Sequence, residues 1–166
     1  MSGGTGELVL WSLALAGLVL LAYGGMLRGW RRRARRHDLP PLVPATDAGP
    51  PLLQAEGRYV GTTTADDWLD RVVARGLGAR SPARLLLTAR GLDVHRPGGD
   101  FRIPAAAVER ARHDQGIAGK VVPPHGLLVV TWRHGGHRLD TGFRLDRSSA
   151  HDDWIRVIDG LAKEHV

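Results

Sequence analysis

The side chains most able to do chemistry in this sequence are eight histidines and five serines. His134 and His137 flank Gly135 and Gly136, and imidazoles this close can share a metal ion. A mononuclear site takes three or four ligands, however, and only Asp140 stands near in sequence. The stretch therefore reads as a polar hairpin turn, with no metal expected. His113 with Asp114, and His151 with Asp152, are the base and orienting carboxylate that a hydrolytic triad uses. Such a triad needs a nucleophile held against the base. Of the serines, Ser2, Ser12 and Ser81 occupy no strained strand-to-helix elbow, and Ser148 and Ser149 fit better as caps of a final helix. There is no cysteine, which excludes disulfides, thiolate zinc sites and thiol nucleophiles. The run from Gly116 to Lys120, GIAGK, resembles part of a phosphate-binding loop. It has two residues between its glycines where the motif has four, and Val121 where the motif has Ser or Thr. A GxxG loop that grips RNA lies between helices, and this one lies between strands. It reads as a turn, with Lys120 as the candidate contact to an anionic ligand. No catalytic residue, cofactor or metal is expected, and the chain is expected not to be an enzyme.

Charge sharpens the expectation. The 166 residues carry 23 basic and 17 acidic side chains, a net +6, and arginine outnumbers lysine 21 to 2. Arg28, Arg31, Arg32, Arg33, Arg35 and Arg36 supply six of those cations within nine positions. From Glu56 onward 17 basic residues face 14 acidic ones, so the folded part is close to balanced and nucleic acid is not an expected partner. The arginine bias, with abundant Ala, Gly and Leu, fits a GC-rich bacterial coding sequence. The length leaves room for one domain and an anchor.

From Leu8 to Leu27 there are 20 residues without a charge. As a helix rising about 1.5 Å per residue, they cover a hydrocarbon core of about 30 Å. Trp11 at one end, with Tyr23 and Trp30 at the other, fits an interfacial aromatic belt. A cleaved signal peptide would carry its positive charge before the apolar run, whereas here only Glu7 precedes it. The six arginines follow the run and predict that this side faces the cytoplasm, with the N-terminus outside. They also attract anionic lipid headgroups, by roughly 1 kcal/mol each. The sequence thus predicts one transmembrane helix within residues 1–27, a basic juxtamembrane segment over 28–37, a linker over 38–56 and a folded domain over 57–166. In the linker Pro40, Pro41, Pro44, Pro50 and Pro51 exclude regular helix and central strand.

From Gly57 short apolar runs alternate with turn residues, which predicts a mainly β domain. Strands are expected over residues 58–64, 83–88, 92–96, 101–103, 107–113, 127–133 and 138–145, with a Gly- and Pro-rich loop over 115–126. Thr64 followed by Asp67 has the spacing of a helix start and predicts a short helical insert over 66–73. A final helix is predicted from Asp152 and Asp153 in its first turn and from Lys163 near its end. Its apolar face is Trp154, Ile155, Ile158, Leu161 and Ala162. Strands closed by one amphipathic C-terminal helix describe a small β-barrel or sandwich plugged at one end.

The running text GRYVGTTTADDWLDRV, followed by IPAAAV, GIAGKVV and VVTWRHGGHRLDTGF, resembles a family of actinobacterial single-pass membrane proteins with a pleckstrin-homology-like domain. The resemblance covers nearly the whole chain. It implies a scaffold rather than an enzyme, in a family often encoded among pyrimidine biosynthesis genes. Unlike lipid-binding members of the wider superfamily, this sequence has no basic cluster between its first two strands. Arg71, Arg75, Arg80 and Arg84 stand there among Asp66, Asp67 and Asp70. A headgroup site would need cations such as Arg75, Arg84, Lys120 and Arg133 to converge in space. The expected function is a membrane-anchored binding module that recruits a cytoplasmic protein partner. The alternative is a peripheral sensor of anionic lipid.

Overall fold

In the computed structural model, which describes residues 3–35, 39–46, 49–147 and 150–164, the chain divides into two units, Met1–Asp38 and Leu39–Val166. The larger unit is built around its longest strand, β1 (Leu53–Thr64). The first half of β1 alternates half-buried and exposed side chains, as a strand with one wet face does. From Tyr59 onward consecutive residues are buried, which requires cover on both faces. Tyr59 continues the inward series of Leu53 and Ala55 into the main core, Val60 turns to the opposite face and is covered there in a smaller cluster with Ile117, and the register on β10 shifts between Tyr59 and Gly61.

Around β1 lie β2 (Asp67–Arg71), β3 (Ser81–Thr88), β4 (Gly91–His95), β5 (Phe101–Pro104), β6 (Val108–Asp114), β9 (Leu127–His134) and β10 (His137–Leu145), with the small hairpin β7 (Gly116–Ile117) and β8 (Lys120–Val121) inserted before β9. The main sheet runs in the order β5-β4-β3-β1-β10-β9-β6, all antiparallel, and β2 adds to the far end of β1. Phe101 from β5 stacks on Trp132 from β9 with ring centroids 6.4 Å apart, although those strands lie near opposite ends of the path. The sheet is therefore curled on itself. Tyr59, Phe143 and Trp132 fill the fold, and their polar atoms are paired within it. The Tyr59 hydroxyl donates to the Leu77 carbonyl at 2.7 Å, Trp132 Nε1 donates to Thr141 Oγ1 at 2.9 Å, and Thr62 Oγ1 lies 2.7 Å from Tyr59 Oη and 2.8 Å from Thr141 Oγ1. Burial pushes the Tyr59 phenol up to about 12.

Helix α2 (His151–Glu164) buries Trp154, Ile158, Leu161 and Ala162 against the main core, as its apolar spacing predicts, and Ile155 is packed at the margin. It also protects an edge. Asp159 Oδ1 accepts the Ala111 N–H at 2.7 Å, which occupies an outward amide of β6. The caps expected at Ser148 and Ser149 lie outside the described residues.

Three expectations are corrected. The stretch over 66–73 holds strand β2 at Asp67–Arg71 and not a helical insert, because Thr64 and Asp67 serve a tight turn: they face each other in the ladder, and Asp67 Oδ1 accepts the Leu69 N–H at 2.9 Å. The loop over 115–126 contains the β7–β8 hairpin. The linker expected over 38–56 is strapped to the domain. Leu39 is buried in the core, its carbonyl takes a 2.8 Å bond from Arg75 Nε, and His134 Nε2 lies 3.1 Å from the Pro40 carbonyl. Val43 bridges to Arg102 on the outer side of β5, and Leu53 to Glu56 already belong to β1. Proline favours extended backbone and an edge position, so a segment rich in it docks here as readily as it spaces.

In the smaller unit α1 is a single helix, Gly3–Arg35. Leu13, Leu15, Leu18, Val19, Leu20 and Leu21 are all exposed on it. Among the described residues no helix is long and apolar enough to cross a membrane. Of the uncharged run from Leu8 to Leu27, the side chains of Trp11 and of residues 13–27 are described.

Candidate interaction surface

The β7–β8 hairpin turns through Ala118 and Gly119, at φ +52° and +71°. Positive φ at both central residues is what a tight two-residue hairpin needs, and it is costly for alanine. Ala118 is held there from both sides. Its N–H donates to the Trp68 carbonyl at 2.8 Å, and its carbonyl accepts Arg71 Nη2 at 2.8 Å. Arg71 Nη1 reaches the Gly78 carbonyl at 2.8 Å, so one guanidinium ties β2, the hairpin and the approach to β3.

Beneath the hairpin Ile117 is buried with Val60, Leu127 and Val129. Gly142 makes this possible, since a Cβ there would lie 2.7 Å from Ile117 Cγ2. On the outside, the hairpin and β2 leave an apolar patch. Trp68, Leu69 and Val121 are 47%, 59% and 72% exposed. The Trp68 ring lies over Gly116, which pairs with Val121 across the hairpin, and Leu69 reaches toward Gly119. Lys120 projects beside the patch, and Asp66 and Asp67 are exposed at its other side.

The histidines have gone elsewhere. His134 and His137 do bracket a tight turn, with Gly135 and Gly136 at φ +56° and +81°. A Cβ at Gly135 would overlap the Pro40 ring, so this turn is the seat of the strap. His113 does not use Asp114, which pairs with Arg112 at 3.0 Å; its Nε2 lies 2.7 Å from Asp152 Oδ1. His151 Nδ1 donates to the His125 carbonyl at 3.0 Å, and the His113 ring packs edge-on against that of His125, centroids 4.8 Å apart. Three imidazoles thus meet as a packed cluster, and among the described residues no group of three or more ligands is placed to hold a metal. Ser81 Oγ, the one previously named serine in the domain that is described, has no hydrogen-bond partner among the described residues.

The arginines expected at the membrane surface fall as follows. Arg28 is exposed on α1, Arg31, Arg32, Arg33 and Arg35 lie along the same helix, and Arg36 is outside the described residues. Arg75, Arg84 and Arg133 do not form a common site with Lys120. Arg75 holds Leu39, Arg84 faces Glu56 at 3.5 Å and Arg133 binds Glu109 at 2.6 Å. Sequence reasoning named Arg80 among scattered arginines but missed Arg58 and Arg144 and the grouping of the three. Arg58, Arg80 and Arg144 line a cleft of about 780 Å³ with the loop Pro123 to Gly126. Only the strand register reveals this, because Arg58 stands directly opposite Arg144 on β1 and β10.

No curated protein matches the chain. The sequence profile of one family does match, over residues 37–159, which takes in the strap, the curled sheet and most of α2. The chain belongs to the Bacterial PH domain-like family.

Proposed function

We propose that this protein is a non-catalytic recruiting module, held at the inner face of the membrane by α1 and docking a cytoplasmic protein partner on the patch of Trp68, Leu69 and Val121. The patch carries the reading. A large aromatic and two aliphatic side chains exposed together are the usual centre of a protein interface. Asp66 and Asp67 beside it repel an anionic bilayer, which favours a protein surface over a lipid one. Two features support the anchor. The 20 uncharged residues from Leu8 to Leu27 reach about 30 Å as a helix, and the leucines described on α1 are exposed where an apolar helix needs cover. The arginines that follow the run support a cytoplasmic side for the domain.

The test uses the full chain in neutral detergent as bait for cytoplasmic proteins. Trp68→Asp and Val121→Asp should abolish capture that Arg84→Ala leaves intact, and the captured protein, purified, should bind the wild type with a defined Kd. Equal capture by both aspartate variants refutes the patch. Salt-sensitive binding to anionic vesicles in place of any protein would favour the lipid sensor. A reporter fused after Val166 should be active only in the cytoplasm, and periplasmic activity would overturn the orientation.

A further inference from the structure

We propose that the cleft walled by Arg58, Arg80 and Arg144 is a binding site for a phosphate monoester, separate from the apolar patch and sharing no residue with it. Most arginines of the domain are committed within it. Arg84, Arg112, Arg133 and Arg138 pair with carboxylates, and Arg71 and Arg96 donate to backbone carbonyls. Arg58, Arg80 and Arg144 have no such partner among the described residues, and all three are exposed to one cleft.

Their placement is costly without a ligand. Arg58 and Arg144 are direct partners across an antiparallel ladder, so their Cβ atoms stand about 5 Å apart, and like charges in that position repel. Among the described residues the sole carboxylate lining the cleft is that of Asp146, so its guanidiniums outnumber its carboxylates by two. A phosphate monoester carries about −2 at neutral pH and offers three acceptor oxygens, and guanidinium forks bind such oxygens in pairs. A single carboxylate would leave the site half neutralised.

The cleft has the other properties of a built site. At about 780 Å³ it is large enough for the group that bears the phosphate, and Val60, Pro123, Pro124 and Leu145 give it apolar walls. One wall is rigid: it contains two prolines, the Gly126 N–H closes on the Pro123 carbonyl at 2.9 Å, and His125 is held at φ +58°. His151, fully buried, fixes that conformation through its bond to the His125 carbonyl. Strain maintained in this way favours a ready-formed site over one assembled on binding. The adjoining cleft makes the contrast. There Arg84 is already matched by Glu56, 3.5 Å away.

The experiment titrates the full chain, in neutral detergent at fixed ionic strength and pH 7.5, with glycerol 3-phosphate, dihexanoyl phosphatidic acid below its micelle concentration, and acetate. One saturable site is expected for a phosphate probe, with acetate at least tenfold weaker. Arg58→Gln and Arg144→Gln should each weaken phosphate binding about ten- to hundredfold, the loss of a charge-assisted contact. In buffer without phosphate both variants should melt no lower than the wild type, because each relieves the cross-strand repulsion. Trp68→Asp should leave phosphate binding unchanged. Similar affinity for the two phosphates identifies a soluble ester as the ligand class; a tenfold preference for the diacyl form identifies a lipid headgroup. Either supports the site. Absence of binding by both phosphates, equal binding of acetate, or binding that survives both substitutions overturns it.

Discussion

Gly142→Ala tests whether the β7–β8 hairpin is a docked part of the domain or a loose excursion from it. The added methyl would sit 2.7 Å from Ile117 Cγ2 and 2.9 Å from its Cδ1, well inside contact distance. Ile117 has little room to yield, since it is 1% exposed and enclosed with Val60, Ala118, Leu127 and Val129. Two responses are available. If the cluster absorbs the methyl, overpacking costs about 1 to 3 kcal/mol. If Ile117 is instead expelled, the loss is that of burying one isoleucine, about 1.5 to 3 kcal/mol. Both routes fall near 2 kcal/mol, which for a domain of this size lowers the melting temperature by roughly 4 to 10 °C. Hydrogen exchange separates them, because expulsion lifts the hairpin and exposes the Ala118 N–H now bonded to the Trp68 carbonyl. Ile117→Ala removes the obstructing atoms, so the double variant should be more stable than the sum of the single losses predicts. Unchanged melting together with unchanged exchange at Ala118, or strict additivity in the double variant, would refute the packing described here.

Asp93→Ala should destabilise the domain by about 3 to 5 kcal/mol, because it strands Arg102, which is 6% exposed and bonded to Asp93 through Nε at 2.6 Å and Nη2 at 2.7 Å. Adding Arg102→Met should recover much of that loss in denaturant unfolding, and no recovery would disprove it. Trp154→Ala should cost about 3 to 5 kcal/mol, and an unchanged unfolding midpoint would show that α2 is not the plug. Burial, reinforced by nearby His113, holds the His151 imidazole below its ordinary value of 6.5. A histidine depressed in the folded state contributes stability that is present above 6.5 and is lost as pH falls toward the folded value, so stability should decline between pH 7 and 5. His151→Asn, which keeps a donor for the His125 carbonyl but does not titrate, should flatten that decline, and an unaltered pH profile would refute the assignment. The carboxylates of Asp100, Glu109 and Asp152 are held low chiefly by bonds from His95, Arg138 and His113, so their contribution disappears only in more acid solution.

Much of the sheet was legible because its strands follow the period-two and apolar rules. Residues 127–133 and 138–145 lie within β9 and β10, and α2 begins and buries its face as Asp152, Asp153 and Trp154 foretell. Strand β2 was not, since short polar side chains satisfy backbone donors equally well at a helix start and in a hairpin turn. Only the tertiary partner decides between them, here the end of β1. The strap was hidden for a related reason. Prolines announce what backbone cannot form, and say nothing of whether Leu39 finds a core or Val43 an open edge. The cleft was beyond reach, because Arg58 and Arg144 lie far apart in sequence and become neighbours only through the register of β1 on β10.

The central place of β1 also fixes an order of events in folding. Its two long-range partners differ greatly in when they are synthesised: β3 follows soon after it, while β10 comes only after every other strand of the sheet has been made. Until β10 emerges, β1 has one partner missing, and Tyr59 and Val60 lack the wall that covers them. Pairings of such wide sequence separation close loops at high entropic cost and place a domain among the slower folders, from milliseconds to seconds. The nascent domain therefore waits, with its middle strand exposed along one side, for β10 to leave the ribosome.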